Sequence, residues 1–465
     1  MFSLGKLAAR VVVKDMDRLQ DNDAPIYDGS GVRDYANGDF VRPDEKLRHE
    51  FHCHNPYAQI SLEDSRLAVQ SLTSEFPLFT RAVGSLLGLA VGDSVGAPLE
   101  FLPASEIPNS EHCVATTKST APVFPWIFGQ TDKVLQGLFY TGALNNFELK
   151  EGQWTDDTSM ALCLADSLIF KGKYDGVDIR FRFLYWLKYG YCNAFGRDPD
   201  RYNQISVGLG GNIAKSLRSI HTIEDITPRY IPTRPNEDSG NGSIMRLAPT
   251  AIFYHHSEEN SRMYSREQSY TTHPGEIAAE ACEFLGFLLF RILNHPLSET
   301  ISFAQFLDIH VTDYLEILKS RSSSSATTLM EQLLSNNSTP RSTEACWNWR
   351  AQTLAIQQTL KARGSNYNGY PNSAGYFGSY CMDALAIALH SCYTTDGFEQ
   401  AILKTINFLG DADSTGAVTG QIAGAFYGYN EIPTVMKGPI EKWDNGSIAF
   451  RAALLYFRDN ANIEN

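Results

Sequence analysis

The chain has 465 residues, of which 43% are hydrophobic, 12% aromatic and 20% charged, and it carries a formal net charge of -14. This composition belongs to ordinary globular proteins and excludes disordered and fibrous chains, while the acidic balance disfavours a nucleic-acid partner, which needs clustered cations. The length allows roughly three domains or one large fold.

Residues 1 to about 75 have mixed charge and weak periodicity and read as an N-terminal accessory segment packed on a main body spanning 76–465. Met1 to Val13 is broken by Lys6 and Arg10 and has no cleavage-site pattern, so no secretory signal is expected. The cysteines, Cys53, Cys113, Cys163, Cys192, Cys282, Cys346, Cys381 and Cys392, form no CxxC pair and no disulfide framework, which fits a reducing, cytoplasmic setting. His52-Cys53-His54 and His112-Cys113 could in principle assemble a zinc site, but unrelated surface and core residues explain them better. No apolar run reaches the length of a membrane span, so no membrane partner is expected.

From about Phe79 the pattern turns helical, with Gly84, Gly88 and Gly92 at spacing four among Ala82, Leu86, Leu87, Leu89, Ala90 and Val91. A glycine row on a helix lets a second backbone approach closely. Pro98 should end this helix and leave Glu100 just beyond it, where a solvated loop carboxylate is the simplest reading. Trp154-Thr155-Asp156-Asp157-Thr158 then opens another helix, with Thr155 placed as its N-cap and an apolar face at Met160, Ala161, Leu164, Ala165 and Leu168. Two carboxylates in a first turn gain from the helix dipole, but they also repel, and a bound cation relieves that repulsion.

Leu184 to Asn193 reads as an aromatic helix, followed by Ser206-Val207-Gly208-Leu209-Gly210-Gly211, whose glycines match neither a P-loop nor a Rossmann fingerprint. Ser239-Gly240-Asn241-Gly242-Ser243 precedes a helix from Leu247 to Tyr254, so its backbone N–H groups are placed to bind an anion or to form an ordinary Asn-Gly turn. Thr272-His273-Pro274 precedes an apolar helix from Ile277 to Leu293. Residues 295 to about 350, with polar turns at Ser322 to Ser325 and Asn336 to Pro340, read as an insertion. Tyr367 to Tyr380 is a Gly- and Tyr-rich loop whose tyrosines either stack on a base or line the core. Helices follow at Met382 to Ser391, Gly397 to Leu409 and Ile448 to Tyr456.

The stretch Gly410 to Gly428 holds two features in a row. Asp411, Asp413, Ser414 and Thr415 cluster hard oxygen ligands of the kind that suit Mg²⁺ or Mn²⁺, an acidic helix start being the alternative. Gly416, Gly420, Gly424 and Gly428 then repeat at spacing four, and glycines in a helix interior cost about 1 kcal/mol each unless close packing offsets them. Strand signals are few, so the fold class expected is all-α. Asp411 to Thr415 also fits the DxDxT phosphatase signature, but a glycine-rich helix and only a short remainder of chain follow it.

Gly92-Asp93-Ser94-Val95-Gly96-Ala97 with Glu100, Trp154 to Thr158, Gly240 to Arg246, Thr272 to Pro274 and Gly410 to Gly416 together resemble, in order, the motifs of the ADP-ribosylglycohydrolase family, which includes the dinitrogenase reductase-activating glycohydrolases. The resemblance runs from about Phe79 to Tyr429. It implies a compact all-α bundle with a binuclear Mg²⁺ or Mn²⁺ centre, Thr155, Asp156, Asp157, Asp411, Asp413 and Ser414 being the metal ligands. It implies that Glu100, Asp157 and Asp413 carry catalysis. Ser206, Gly208, Ser239, Asn241, Gly242 and Ser243 would bind substrate, with His273 beside the ligand and Tyr380 toward the adenosine end.

The activity implied is hydrolysis of the glycosidic bond between ADP-ribose and a modified protein side chain, arginine first by family and serine second, by a monomer. Ser206 stands where arginine-directed relatives often carry Asp, which weakens the case for arginine. A non-catalytic ADP-ribose reader or a crystallin-like structural role is the alternative; the full set of ligands and Glu100 argues against it.

Overall fold

The computed structural model describes residues 61–104, 146–202, 205–220, 225, 239–296, 298–335, 342–364, 366–367, 370–371 and 376–458. The zinc candidates His52, Cys53, His54, His112 and Cys113 lie outside these residues. Among the described residues sixteen α-helices follow one another. The first eight are α1 (Leu62–Glu75), α2 (Phe79–Gly96), α3 (Asp156–Lys171), α4 (Gly176–Tyr189), α5 (Gly211–Arg218), α6 (Ala248–Phe253), α7 (Glu258–Ser269) and α8 (Glu276–Leu293). The rest are α9 (Phe303–Lys319), α10 (Ser325–Ser335), α11 (Ile356–Arg363), α12 (Cys381–Tyr393), α13 (Phe398–Ile406), α14 (Ala412–Tyr427), α15 (Thr434–Asp444) and α16 (Ser447–Phe457). One two-residue antiparallel pair, Asn366–Tyr367 with Tyr370–Pro371, interrupts them, so the fold is all-α as expected.

The two glycine rows are partners. A Cβ placed on Gly84 would lie 2.1 Å from the carbonyl oxygen of Gly424, on Gly88 2.3 Å from that of Gly420, and on Gly92 1.9 Å from that of Gly416. Gly96 continues the row, with its Cβ position 2.3 Å from the carbonyl oxygen of Ala412. The pairing order runs in opposite senses along the two sequences, so α2 and α14 are antiparallel and in backbone contact. The rows therefore account for one contact and not for two. The cost of glycine in two helix interiors is offset by dispersion and close backbone contacts that no side chain would permit. Ser85 reinforces the seam by donating to the carbonyl of Gln421 at 3.0 Å, and Gln421 donates onward to the carbonyl of Ile244 at 2.8 Å.

Phe79–Leu99 is, by length and composition, apolar enough to cross a membrane, at 21 residues and mean hydropathy 1.4, which corrects the expectation that no run reaches that length. Its most apolar 18 residues are all buried inside the protein, as in a core helix. Pro98 sits in a 3-10 turn, Ala97–Leu99, that ends α2 and delivers Glu100 as the next residue. The aromatic helix α4 begins earlier than its apolar pattern, because the Asp175 side chain accepts from the N–H groups of Val177 and Asp178 and caps it at Gly176. It ends at Gly190, whose φ of 73° lies in the left-handed region.

Residues 295–350 contribute α9 and α10 to the same core: Phe306, Tyr314, Met330 and Leu333 are fully buried, and the Phe303 ring stacks on Phe426 with centroids 4.1 Å apart. The Asn336 to Pro340 turn lies outside the described residues. Helix α1 packs on the body through buried Val69 and Leu72 and an Arg66–Glu441 ion pair.

The seam predicts a sharp contrast between glycines. Gly420→Ala places a methyl group 1.9 Å from the Gly88 carbonyl oxygen and should lower stability by about 3 kcal/mol or more, as overpacking and backbone displacement do. Gly211→Ala, at the first residue of α5 with nothing within 4 Å of its Cβ position, should leave stability unchanged or raise it by up to about 1 kcal/mol. Urea unfolding of both variants measures the difference.

Candidate active site

Three chain segments converge where the glycine seam ends. The end of α2 brings Asp93 and Glu100, the start of α3 brings Thr155, Asp156 and Asp157, and the start of α14 brings Asp411, Asp413 and Ser414. All of these are buried. Carboxylate oxygens of Asp93, Asp157 and Asp413 lie within 4.8 Å of one another, and so do those of Glu100, Asp411 and Asp413. Asp413 belongs to both groups. None of these carboxylates forms an ion pair with a described residue.

The acids are placed by specific local bonds. Thr155 occupies the N-cap position of α3 but its side chain makes no cap bond. The cap comes instead from α2: Asp93 accepts from the Thr158 N–H at 2.9 Å and hydroxyl at 2.6 Å, and from the Thr155 N–H at 3.0 Å and hydroxyl at 2.9 Å. With four donors on it, Asp93 serves to hold the end of α3. On the α14 side, Asp411 Oδ2 accepts from the Asn241 amide at 2.9 Å, and the same amide donates to the Gly378 carbonyl at 3.0 Å. A bridge between Gly240 and Tyr380 ties that loop to the start of α12.

Burial, with mutual repulsion added, pushes the carboxyls of Asp156, Asp157, Asp413 and Glu100 well above the usual range. Burial raises Asp93 and Asp411 as well, against hydrogen bonds that lower them. Three unsatisfied features show what the cluster fits. Thr155 Oγ1 has one proton but faces oxygens of Asp93 at 2.9 Å, Asp157 at 3.1 Å and Asp413 at 3.4 Å. Asp157 Oδ1 and Glu100 Oε2 are buried with no hydrogen-bond partner among the described residues. Hard oxygens packed this closely, with orphaned lone pairs and no ion-paired cation among the described residues, could hold a metal ion.

The remaining anticipated residues fall in different places. Gly208, at φ +82°, lies so near the acids that a Cβ would sit 2.2 Å from Asp156 Oδ1. Ser206 is turned away, its hydroxyl donating to the Leu187 carbonyl at 3.2 Å. The Ser239 hydroxyl is buried without a partner. Gly242 packs against the His273 ring, its Cβ position 2.8 Å from Cε1. Ser243 is drawn into the core, where its hydroxyl accepts from Ser269 at 2.9 Å and Cys282 at 3.3 Å, so it is not brought to the acids. Tyr380 is buried beside Trp347, centroids 6.4 Å apart. Ser414 is buried, with its hydroxyl 3.7 Å from Met245 Sδ.

A profile of the ADP-ribosylglycohydrolase family matches residues 75–458. The chain belongs to that family. It is 31% identical to an ADP-ribosylarginine hydrolase Tri1 of Pseudomonas putida, covering 78% of this chain and 74% of that one. An ADP-ribosyl-[dinitrogen reductase] glycohydrolase of Rhodospirillum rubrum is 27% identical over 76% of this chain and 88% of its own. A solved structure titled as an ADP-ribosylglycohydrolase-related protein complex aligns with a TM-score of 0.50 and 25% identity, over 82% of this chain and 98% of that one. The acidic DxDxT run from Asp411 to Thr415 opens helix α14 and does not sit at a strand end, as the phosphatase reading would need.

Sequence reasoning missed two members of this ADP-ribosylglycohydrolase site. Asp93 was in view within a motif, but its donors lie 62 and 65 residues away. Tyr376 donates to Glu100 Oε1 at 3.2 Å and stacks at 5.7 Å on Phe101, a half-exposed aromatic held at φ +70° by its N–H bond to the Gly410 carbonyl at 2.9 Å.

Raised carboxyl values fix a sign for the pH dependence of stability. The contribution of these carboxyls to the stability of the folded, metal-free protein is therefore fully present below the ordinary carboxyl range and is lost as pH rises from that range through their raised folded values. Saturating Mg²⁺ or Mn²⁺ should abolish that fall and, at a hundredfold excess over Kd, add about 2.7 kcal/mol. Melting temperatures from pH 4 to 8 with chelator or metal test this, and Asp413→Asn should remove the metal response.

Proposed function

We propose that this protein is a metal-dependent ADP-ribosyl hydrolase that cleaves the bond between ADP-ribose and a protein side chain, arginine first, releasing ADP-ribose. The observation that carries this reading is the buried cluster in which Asp413 is shared by two carboxylate groups, one with Asp157 and one with Glu100. The named functions of the arginine hydrolase and dinitrogen reductase glycohydrolase relatives support the substrate class.

Thr155, Asp156, Asp157, Asp411, Asp413 and Ser414 would hold two Mg²⁺ or Mn²⁺ ions. Divalent cations there supply Lewis acidity and a fixed positive field for the ribose hydroxyls and for water. The protein's own groups do the rest. Glu100 presents Oε2 without a partner, while Tyr376 holds Oε1 at 3.2 Å, so the carboxylate is steadied on one oxygen and available on the other. As water adds to the anomeric carbon and the glycosidic bond breaks, Glu100 takes one of the water's protons and returns it to the departing side chain, so that ADP-ribose keeps the hydroxyl and the side chain leaves with the proton. Asn241 orients Asp411, and we assign the diphosphate to the loop 239–242, a reading supported by the Ser239 hydroxyl, which has no partner among the described residues.

The six described cysteines are free, which suits the proposed reducing, cytoplasmic setting. We read the protein as a monomer whose catalytic body begins near residue 76, with 1–75 as an accessory segment.

The test is release of ADP-ribose from proteins modified on arginine and, separately, on serine, with Mg²⁺ or Mn²⁺. We expect release from the arginine conjugate, a drop of about a hundredfold or more in kcat for Asp157→Ala, Asp413→Ala and Glu100→Gln, and no release with chelator. Unimpaired turnover by Asp157→Ala or Asp413→Ala would sink the assignment. Tight ADP-ribose binding without release from either conjugate would support a non-catalytic reader.

A further inference from the structure

We infer that Arg246 and Thr272 form a positioning relay that holds His273 with its ring proton on Nε2, so that a neutral N–H donor faces a ligand oxygen at Gly242.

The inference starts from a counting of protons. Arg246 is fully buried just before α6, with its guanidinium 4.4 Å from the centroid of the Phe183 ring. Its hydrogen-bond partners are all neutral: Gln268 Oε1 at 3.1 Å from Nε, Met160 Sδ at 3.8 Å from Nη1, and, around Nη2, Thr272 Oγ1 at 2.8 Å, Thr271 Oγ1 at 3.1 Å and the Gln268 carbonyl at 3.3 Å, of which Thr272 is the nearest. A guanidinium only donates, so Thr272 Oγ1 is an acceptor toward Arg246 and keeps one proton of its own. That oxygen lies 2.8 Å from His273 Nδ1. A proton on Nδ1 would make both neighbours donate into Thr272 and strand its hydroxyl proton, because the hydroxyl has no other acceptor among the described residues. The consistent arrangement runs Arg246 to Thr272 to Nδ1, which leaves the ring proton on Nε2.

The ring's position gives that proton a use. The His273 N–H donates to the Ser269 carbonyl at 2.8 Å, which anchors the residue at the end of α7. The Gly242 Cβ position would be 3.2 Å from Nε2, so only a glycine leaves the ring edge open there. Asn241, the adjoining residue, is the one that holds Asp411. Among the described residues Nε2 has no protein acceptor. An oxygen of a diphosphate or a ribose hydroxyl would complete it; this part of the inference rests on the ADP-ribose reading, whereas the proton assignment does not.

Long-range ¹H–¹⁵N spectra of the full-length, ¹⁵N-histidine-labelled protein, with His273 assigned by its loss in His273→Gln, read the tautomer directly. We expect the Nε2–H pattern at neutral pH, and an Nδ1–H pattern would overturn the relay whatever the protein binds. Calorimetry with ADP-ribose and Mg²⁺ reads the consequence. His273→Gln, which puts an amide N–H where Nε2–H was, should bind within about threefold of wild type, and His273→Asn, which cannot, should lose about tenfold or more. Thr272→Val should lose about tenfold and Thr272→Ser should recover it. Equal affinity across all four variants would refute the donor role, and absence of binding by the wild type would count against the ADP-ribose reading alone.

Discussion

The backbone contact between α2 and α14 is the constraint on which the rest depends. Helices with ordinary side chains pack with axes 8–10 Å apart, and here the Cβ positions of facing glycines already fall about 2 Å from opposing carbonyl oxygens. Closeness at the seam sets closeness at its end. Gly96 lies against Ala412 and Asp413, so the turn that follows α2 must place Glu100 beside the acids that open α14. Any side chain in the row would draw Asp93 and Glu100 away from the Asp413 that their two groups share.

That proximity is unfavourable in itself. Like charges removed from water repel strongly, and no cationic side chain among the described residues is hydrogen-bonded to them; the buried Arg246, on which Asp156 acts electrostatically, is engaged with neutral partners. The fold holds the acids with donors where it can, four on Asp93 and an amide on Asp411, and leaves Asp157 Oδ1 and Glu100 Oε2 without any. Strain of this kind persists at sites where a ligand completes the coordination, and it ties stability, metal and activity to the same few atoms. The same economy of donors runs behind the acids, where Arg246 spends its protons on threonines and so determines which nitrogen of His273 carries one.

Much of this was legible in the residues. Thr155-Asp156-Asp157 and Asp411-Ala412-Asp413-Ser414 each announce an acidic helix start within a few residues, and both do open helices. Pro98 ends α2 next to Glu100 as its ring geometry requires. Other parts were not legible, because their partners are remote. Thr155 had the composition of a cap, yet the capping group is Asp93 from another helix. The Gly- and Tyr-rich loop offered several tyrosines of equal standing, and only packing singles out Tyr376 for Glu100. Ser243 sat in the anion-binding pattern, but Ser269 and Cys282 draw it into the core.

By itself, the sequence determined the helical class, the two glycine rows, the acidic motifs and, through their order, the family. Each of these is written in spacing or in a short run, where backbone sterics, helix period and charge act between near neighbours. Tertiary structure alone decided that the two rows face each other, that Asp413 is shared, and that Asp93 caps a helix it does not belong to. Those facts join residues as far apart as Thr155 and Asp413, 258 positions along the chain. No local pattern encodes such a meeting, because it follows from how closely two separate backbones can approach.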